Sequence, residues 1–301
     1  MPSASVLATA LSADSQSDSV PTPEPDDPRR ARALLIACIT IALERFAFYT
    51  LVSLFVLFLR EVRFHTESSA LTWYGVMMGA TYFAPLIGGA IADRVGRWRC
   101  IALGVLGLTS SYAFLTAGPL APGFLLYTIL SLSMGMGLFK GNITAAVGSL
   151  YPTETARDLA LNRLYWAVNL GALPSGFVGG WLATRYGYSA AFLAATGACL
   201  LASCLWMFSG STLLFREHSH TQVIRSQAPE KDRLATIYVL LPVAALFFLS
   251  FHQSGSSLTL FAKDHTVLSL LGIRIEAPWF QSVHAGLILS LSPLLGLLWR
   301  R

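Results

Sequence analysis

A chain of 301 residues that is 54% hydrophobic and only 12% charged, against roughly 25% charged in a soluble domain, is not patterned as an ordinary soluble globule. The net charge of +5 does not signal nucleic acid, because basic residues of a membrane protein collect in the loops of one side. Cys38, Cys100, Cys199 and Cys204 lie in apolar segments without CxxC spacing, which argues against a metal or disulfide framework and for buried free thiols.

Residues 1–31 open with a stretch rich in Ser, Pro, Asp and Thr, without the basic start and apolar core of a signal peptide, and read as a disordered tail. The first span, Ala33 to Leu59, is apolar or weakly polar apart from the adjacent Glu44 and Arg45. At 1.5 Å per residue it would cover roughly 40 Å, enough to cross a bilayer core at a tilt. A charge at mid-bilayer costs about 2.5 kcal/mol or far more, so this pair either lines a polar pathway or ties helices together.

Further spans are predicted over about Leu71–Ala92, Cys100–Ala117, Phe124–Leu150, Leu159–Ala183 and Ser189–Phe215, with a tight turn at Pro119 and Pro122. A polar linker, residues 216–233, separates these six from two more, Leu234–Ala262 and Trp279–Trp299. The expected division is a six-helix bundle over 32–215 and part of a second bundle over 234–301. Of the 21 Lys and Arg, 14 fall on the side of the N-terminus and five on the other, with Arg45 and Lys140 within the membrane. That bias places both termini in the cytoplasm of a multi-pass inner-membrane protein.

Counted from the cytoplasmic ends, Glu44, Tyr82, Lys140 and Asn169 fall at one depth, roughly 15 to 18 Å in. Two cations, an acid, a phenol and an amide at one level suggest a midplane cavity for an anionic or carboxylate-bearing substrate. A purely structural polar network would produce the same set. Gly75, Gly79, Gly88 and Gly89 in the second span, and Gly135, Gly137 and Gly141 in the fourth, predict close helix packing. No HExxH, GxSxG or phosphate-loop pattern supports an enzyme, and no cofactor or metal is expected.

Several stretches resemble the proton-dependent oligopeptide transporter family of the major facilitator superfamily. Gly89 to Arg99, containing Asp93-Arg94-Val95-Gly96-Arg97, resembles the superfamily loop GxxxDRxGRR. Glu44-Arg45-Phe46-Ala47-Phe48-Tyr49 resembles the family's ExxERFxYY. Lys140-Gly141-Asn142-Ile143-Thr144 looks like its KPNVS, and Tyr165 to Gly171 is similar to its FYxxINxG. Gln253 to Ser257 and Trp279-Phe280-Gln281 resemble its seventh and eighth helices.

The resemblance implies a secondary active peptide:proton symporter working by alternating access. Arg45, Tyr49, Tyr82, Lys140 and Asn169 would contact the peptide, with Glu44 and His252 as proton carriers. Gly89, Asp93, Arg94, Gly96 and Arg97 would form the conformational motif. Ile41 stands where the family has the first glutamate of ExxER, Val52 where it has a second arginine, and His252 where it has an acid. The family has twelve or more helices, so the alternatives are a non-transporting remnant or a half-transporter completed by a second chain.

Overall fold

The computed structural model describes residues 27–63, 65–117, 123–209, 215, 230–270 and 272–299. The expected tight turn at Pro119 and Pro122, most of the tail and most of the linker lie outside them. Helix α1 runs Pro28–Glu61, starting before the expected Ala33. Its start is fixed locally: the Asp27 carboxylate accepts from the Arg29 amide at 2.9 Å, and Pro28 opens the first turn, where no amide is needed.

Helix α2 (Glu67–Val95) starts under a Thr66 side chain that accepts from the Ser69 amide at 3.3 Å. It passes to α3 (Arg97–Thr116) through Gly96 alone, whose φ of +95° an L side chain would resist. Helices α4 (Phe124–Ser149), α5 (Glu154–Tyr186) and α6 (Tyr188–Phe208) complete the first bundle.

Within this bundle α1 packs chiefly on α5 and α6, α4 on α2 and α3, and α3 on α6. The α2–α4 crossing is so close that a Cβ on Gly88 would overlap the Gly137 carbonyl, and one on Gly137 the Ala84 carbonyl. That is how helices associate where lipid removes the hydrophobic drive between them. The packing role expected of Gly75, Gly79 and Gly89 is corrected: a Cβ at each meets nothing within 4 Å among the described atoms. The cysteines are free, and Cys100 and Cys199 are buried as expected, but Cys38 is only half-buried and Cys204 is exposed.

The seventh span is not the continuous helix expected over Leu234–Ala262. It is α7 (Glu230–Phe251), a 3-10 turn (His252–Gly255) and α8 (Ser257–His265). Ser256 breaks the helix with φ −124° and ψ −102°. The Ser-Gly-Ser-Ser sequence has low helix propensity, and Gly255 sits where a Cβ would strike the Tyr74 hydroxyl and Val52. A two-stranded antiparallel hairpin, β1 (Ser269–Leu270) and β2 (Ile273–Arg274), leads to α9 (Trp279–Trp299).

Helix α9 lies against α5, where Ser282 Oγ accepts from the Phe177 amide at 3.0 Å. The protein is thus an all-helical membrane fold: a six-helix bundle plus two spans of a second bundle, with one small hairpin between them. Among the described residues, six segments are long and apolar enough to cross a bilayer on length and composition alone.

Candidate functional site

A cavity of about 430 Å³ lies between the first bundle and helices α7 and α9. All five residues expected to bind substrate line it: Arg45 and Tyr49 from α1, Tyr82 from α2, Lys140 from α4 and Asn169 from α5. They converge because the tight α2–α4 crossing, and a comparable one where Gly171 meets the Ala42 carbonyl of α1, bring four backbones together at this depth.

The two cations differ in their surroundings. Arg45 is 4% exposed, and its Nε and Nη2 donate to Glu44 Oε2 at 2.6 Å and Oε1 at 2.8 Å. Nη2 also lies 3.2 Å from Met136 Sδ, and the guanidinium sits 4.7 Å from the Phe48 ring centre. Its charge is therefore matched by Glu44, which is 0% exposed and does not line the cavity. Lys140 has no carboxylate partner among the described residues; its Nζ sits 4.3 Å from the Tyr82 ring centre. The uncompensated positive charge of the cavity is that of Lys140. The Asn169 amide donates to the Tyr165 carbonyl at 3.0 Å, which turns its side chain along its own helix.

The wall facing Arg45 and Lys140 was not anticipated. Phe247, Phe248 and Phe251 of α7 form it, with Gln281 and His284 of α9 beside them. An aromatic run inside an apolar helix carries no charge signal; its one legible trace is the Phe-Phe-Leu-Ser-Phe cluster just before His252.

His252 stands apart. Its ring packs on Tyr82 at 5.1 Å and Phe248 at 6.0 Å, but it faces a second cleft, of about 240 Å³, and not the cavity. The conformational-motif residues lie away from both, at the α2–α3 junction. Asp93 and Arg94 are exposed there, Arg97 is half-buried, and Gly96 makes the turn. At the opposite end the two parts of the chain are latched together. Arg60 pairs with Asp264 (Nη2 to Oδ1, 2.9 Å), Lys263 with Glu61, and the Tyr188 hydroxyl donates to Glu61 at 2.9 Å.

Residues 34–301 match the family model of the Major Facilitator Superfamily. A dipeptide and tripeptide permease A of Chromobacterium violaceum is 26% identical over 310 residues, covering 86% of this chain and 63% of that protein. The chain thus spans under two thirds of that curated relative's length. A crystal structure of a peptide transporter with sulfate superposes with a TM-score of 0.71 at 22% identity, covering 89% of this chain and 68% of the other. A bacterial homologue of the human drug peptide transporters superposes at 0.70 with 23% identity, covering 89% and 71%. With the transporter bundle, its central cavity and this match over most of its length, the chain belongs to the Major Facilitator Superfamily.

Proposed function

We propose that this chain carries the substrate site of a peptide:proton symporter, taking up di- or tripeptides by alternating access in the inner membrane, with cytoplasmic termini. The observation that carries the reading is the convergence of Arg45, Tyr49, Tyr82, Lys140 and Asn169 on one cavity, where Lys140 has no carboxylate partner among the described residues. A peptide's terminal carboxylate would be anchored by Lys140 and supported by Arg45. The phenols and Asn169 would hydrogen-bond the peptide backbone, and Phe247, Phe248 and Phe251 would pack on side chains. The names of similar proteins, peptide permeases and peptide transporters, agree with that chemistry.

Proton coupling is assigned to His252 before Glu44. Imidazole changes charge near neutral pH, whereas Glu44 is enclosed and committed to Arg45. Asp93, Arg94 and Arg97, with Gly96 at the turn and Gly89 within the last turns of α2, are assigned to clasping the neighbouring helix end in the alternate state. A second reading is a half-transporter completed by another chain. It is favoured by α7, whose described side chains from Leu234 to Ser250 are all exposed.

Binding of alanyl-alanine to the purified chain tests the reading. A charge-assisted contact is worth about 1.5–3 kcal/mol, so Lys140→Ala should weaken binding roughly 10-fold to 100-fold. Amidating the dipeptide's C-terminus should weaken binding to the parent strongly and to the variant hardly at all. Equal losses in both would remove Lys140 from the site. Binding only when a second chain is supplied would select the half-transporter.

A further inference from the structure

The 3-10 turn that carries His252 lies within a membrane-spanning segment. Irregular backbone at that depth is tolerated only where protein buries it or water reaches it. Here both occur on different sides. Gly255 is pressed against Val52 and Tyr74, and the Tyr74 hydroxyl donates to the His252 carbonyl at 3.4 Å. The same carbonyl accepts from Ser256 Oγ at 3.0 Å, so side chains satisfy the backbone that the broken helix frees. The other side of the turn, with Gln253 and Ser257 exposed, borders the 240 Å³ cleft.

This cleft shares no lining residue with the substrate cavity. It does share Leu71 with a surface groove lined by Glu67, Ser68 and Thr72 at the start of α2. Glu67, Leu71, Tyr74 and Met78 recur at steps of four, three and four, so groove and cleft follow one face of a single helix. Gly75 lies on that face, and a Cβ there meets nothing within 4 Å, so the way past it is open. At the inner end His252 Nε2 is buried with no hydrogen-bond partner among the described residues.

We propose that protons reach His252 through this second path, along α2 from Glu67 past Gly75, entering from the latched end while the substrate cavity is a separate compartment. Its ligand is the water-borne proton. The inference rests on the assignment of coupling to His252 made above. The partition between the compartments is the contact of His252 with Tyr82 and Phe248, both of which line the cavity.

Around His252 the titratable groups are Tyr74 and Tyr82 of α2, Lys140 of α4, and His284 of α9, which packs on the far side of Phe251. Glu44 and Arg45 of α1 are occupied with each other. Tyr82 touches both His252 and the Lys140 ammonium, so a protonated His252 and Lys140 oppose one another. A carboxylate bound at Lys140 removes that opposition, which makes proton and anionic substrate mutually favourable ligands of separate sites.

The test uses proteoliposomes of the full chain and alanyl-alanine as probe. Gly75→Leu fills the path without touching the cavity. It should lower uptake driven by a pH gradient at least tenfold while leaving counterflow exchange at equal pH unchanged. Gradient-driven uptake that survives in Gly75→Leu but is lost in His252→Gln would overturn the path and keep His252 as the carrier. Gradient-driven uptake that survives in His252→Gln would overturn the assignment to His252 itself, and the path with it. Labelling gives a readout that needs no transport. Thr72→Cys and Ser257→Cys should react with a membrane-impermeant thiol reagent from the Glu67 side, above the background of the parent's own cysteines. Failure of Ser257→Cys to react from that side overturns the path.

Discussion

Helix α1 and the α7–α8 segment both border the site and both hold a polar group at membrane depth, Glu44–Arg45 in one and His252 in the other, and they do so in opposite ways. In α1, 78% of the most apolar 18-residue stretch is buried; in the span from Thr236 to His265 the figure is 0%. A helix enclosed by protein can keep an unbroken backbone and neutralise its polar content between side chains, as Glu44 and Arg45 do. A helix with protein on one side only presents polar chemistry by opening its backbone, as α7 does at His252–Ser256. Charge in the first bundle is therefore matched inside the protein, whereas at the broken turn side chains of α2 and of the turn itself satisfy the freed backbone.

The sharpest way to break this comparison is at Arg45. Removing one partner of a buried ion pair leaves the other uncompensated, which costs about 3–5 kcal/mol. Arg45→Ala should lower the thermal unfolding midpoint in detergent by far more than Phe247→Ala, which trims the exposed helix. Similar midpoints for the two variants would mean that the first bundle does not depend on the pair.

A middling effect is expected at the α2–α4 crossing. Gly137→Val places a branched side chain where a Cβ already lies 2.6 Å from the Ala84 carbonyl, and overpacking of this kind costs about 1–3 kcal/mol. Gly79→Val on the same α2 helix meets open space and should stay within about 0.5 kcal/mol. The same detergent unfolding series reads both. If Gly79→Val proves as damaging as Gly137→Val, the small residues of α2 pack on something other than α4.

What was legible in the sequence follows the same division. Glu44, Arg45, Tyr82, Lys140 and Asn169 could be picked out because polar groups in apolar spans are costly and few; Arg45, Tyr82, Lys140 and Asn169 line one cavity, and Glu44 is enclosed behind Arg45. The aromatic wall was invisible because Phe247, Phe248 and Phe251 do not differ in kind from the residues around them. The helix break escaped because hydropathy does not register a local change from α-helical to 3-10 backbone, although Gly255 and its flanking serines mark it. The glycines of α2 looked alike in sequence; only the crossing point separates Gly88, which packs, from Gly75, which leaves a gap. That His252 faces a different compartment from Tyr82 is a property of tertiary packing that no spacing encodes.

The smallest effect on stability, and the finest probe of how the two parts meet, belongs to the latch. Arg60 and Asp264 are each 30% exposed, so their pairing is screened and worth about 0.2–1 kcal/mol. Arg60→Ala should barely move the unfolding midpoint. Yet Arg60–Asp264 and Lys263–Glu61 join α1 to α8 at one end only, so they bear on the balance between open and closed arrangements at that end. An equilibrium balanced within a kilocalorie responds to such a term by about fivefold in population, even though folding does not register it. Gln281→Cys, 5% exposed beside the cavity, reports that population through its reaction with an impermeant thiol reagent added at the latched end. Its labelling rate should rise severalfold with Arg60→Ala, and again with Lys263→Ala. The exchanged pair Arg60→Asp with Asp264→Arg should bring the rate back toward the parent's, because a double-mutant cycle isolates the pairwise contact from the loss of either side chain. A rate that stays high in the exchanged pair would mean that the end is held by Gly255 packed on Val52 and Tyr74, with the ion pairs as bystanders.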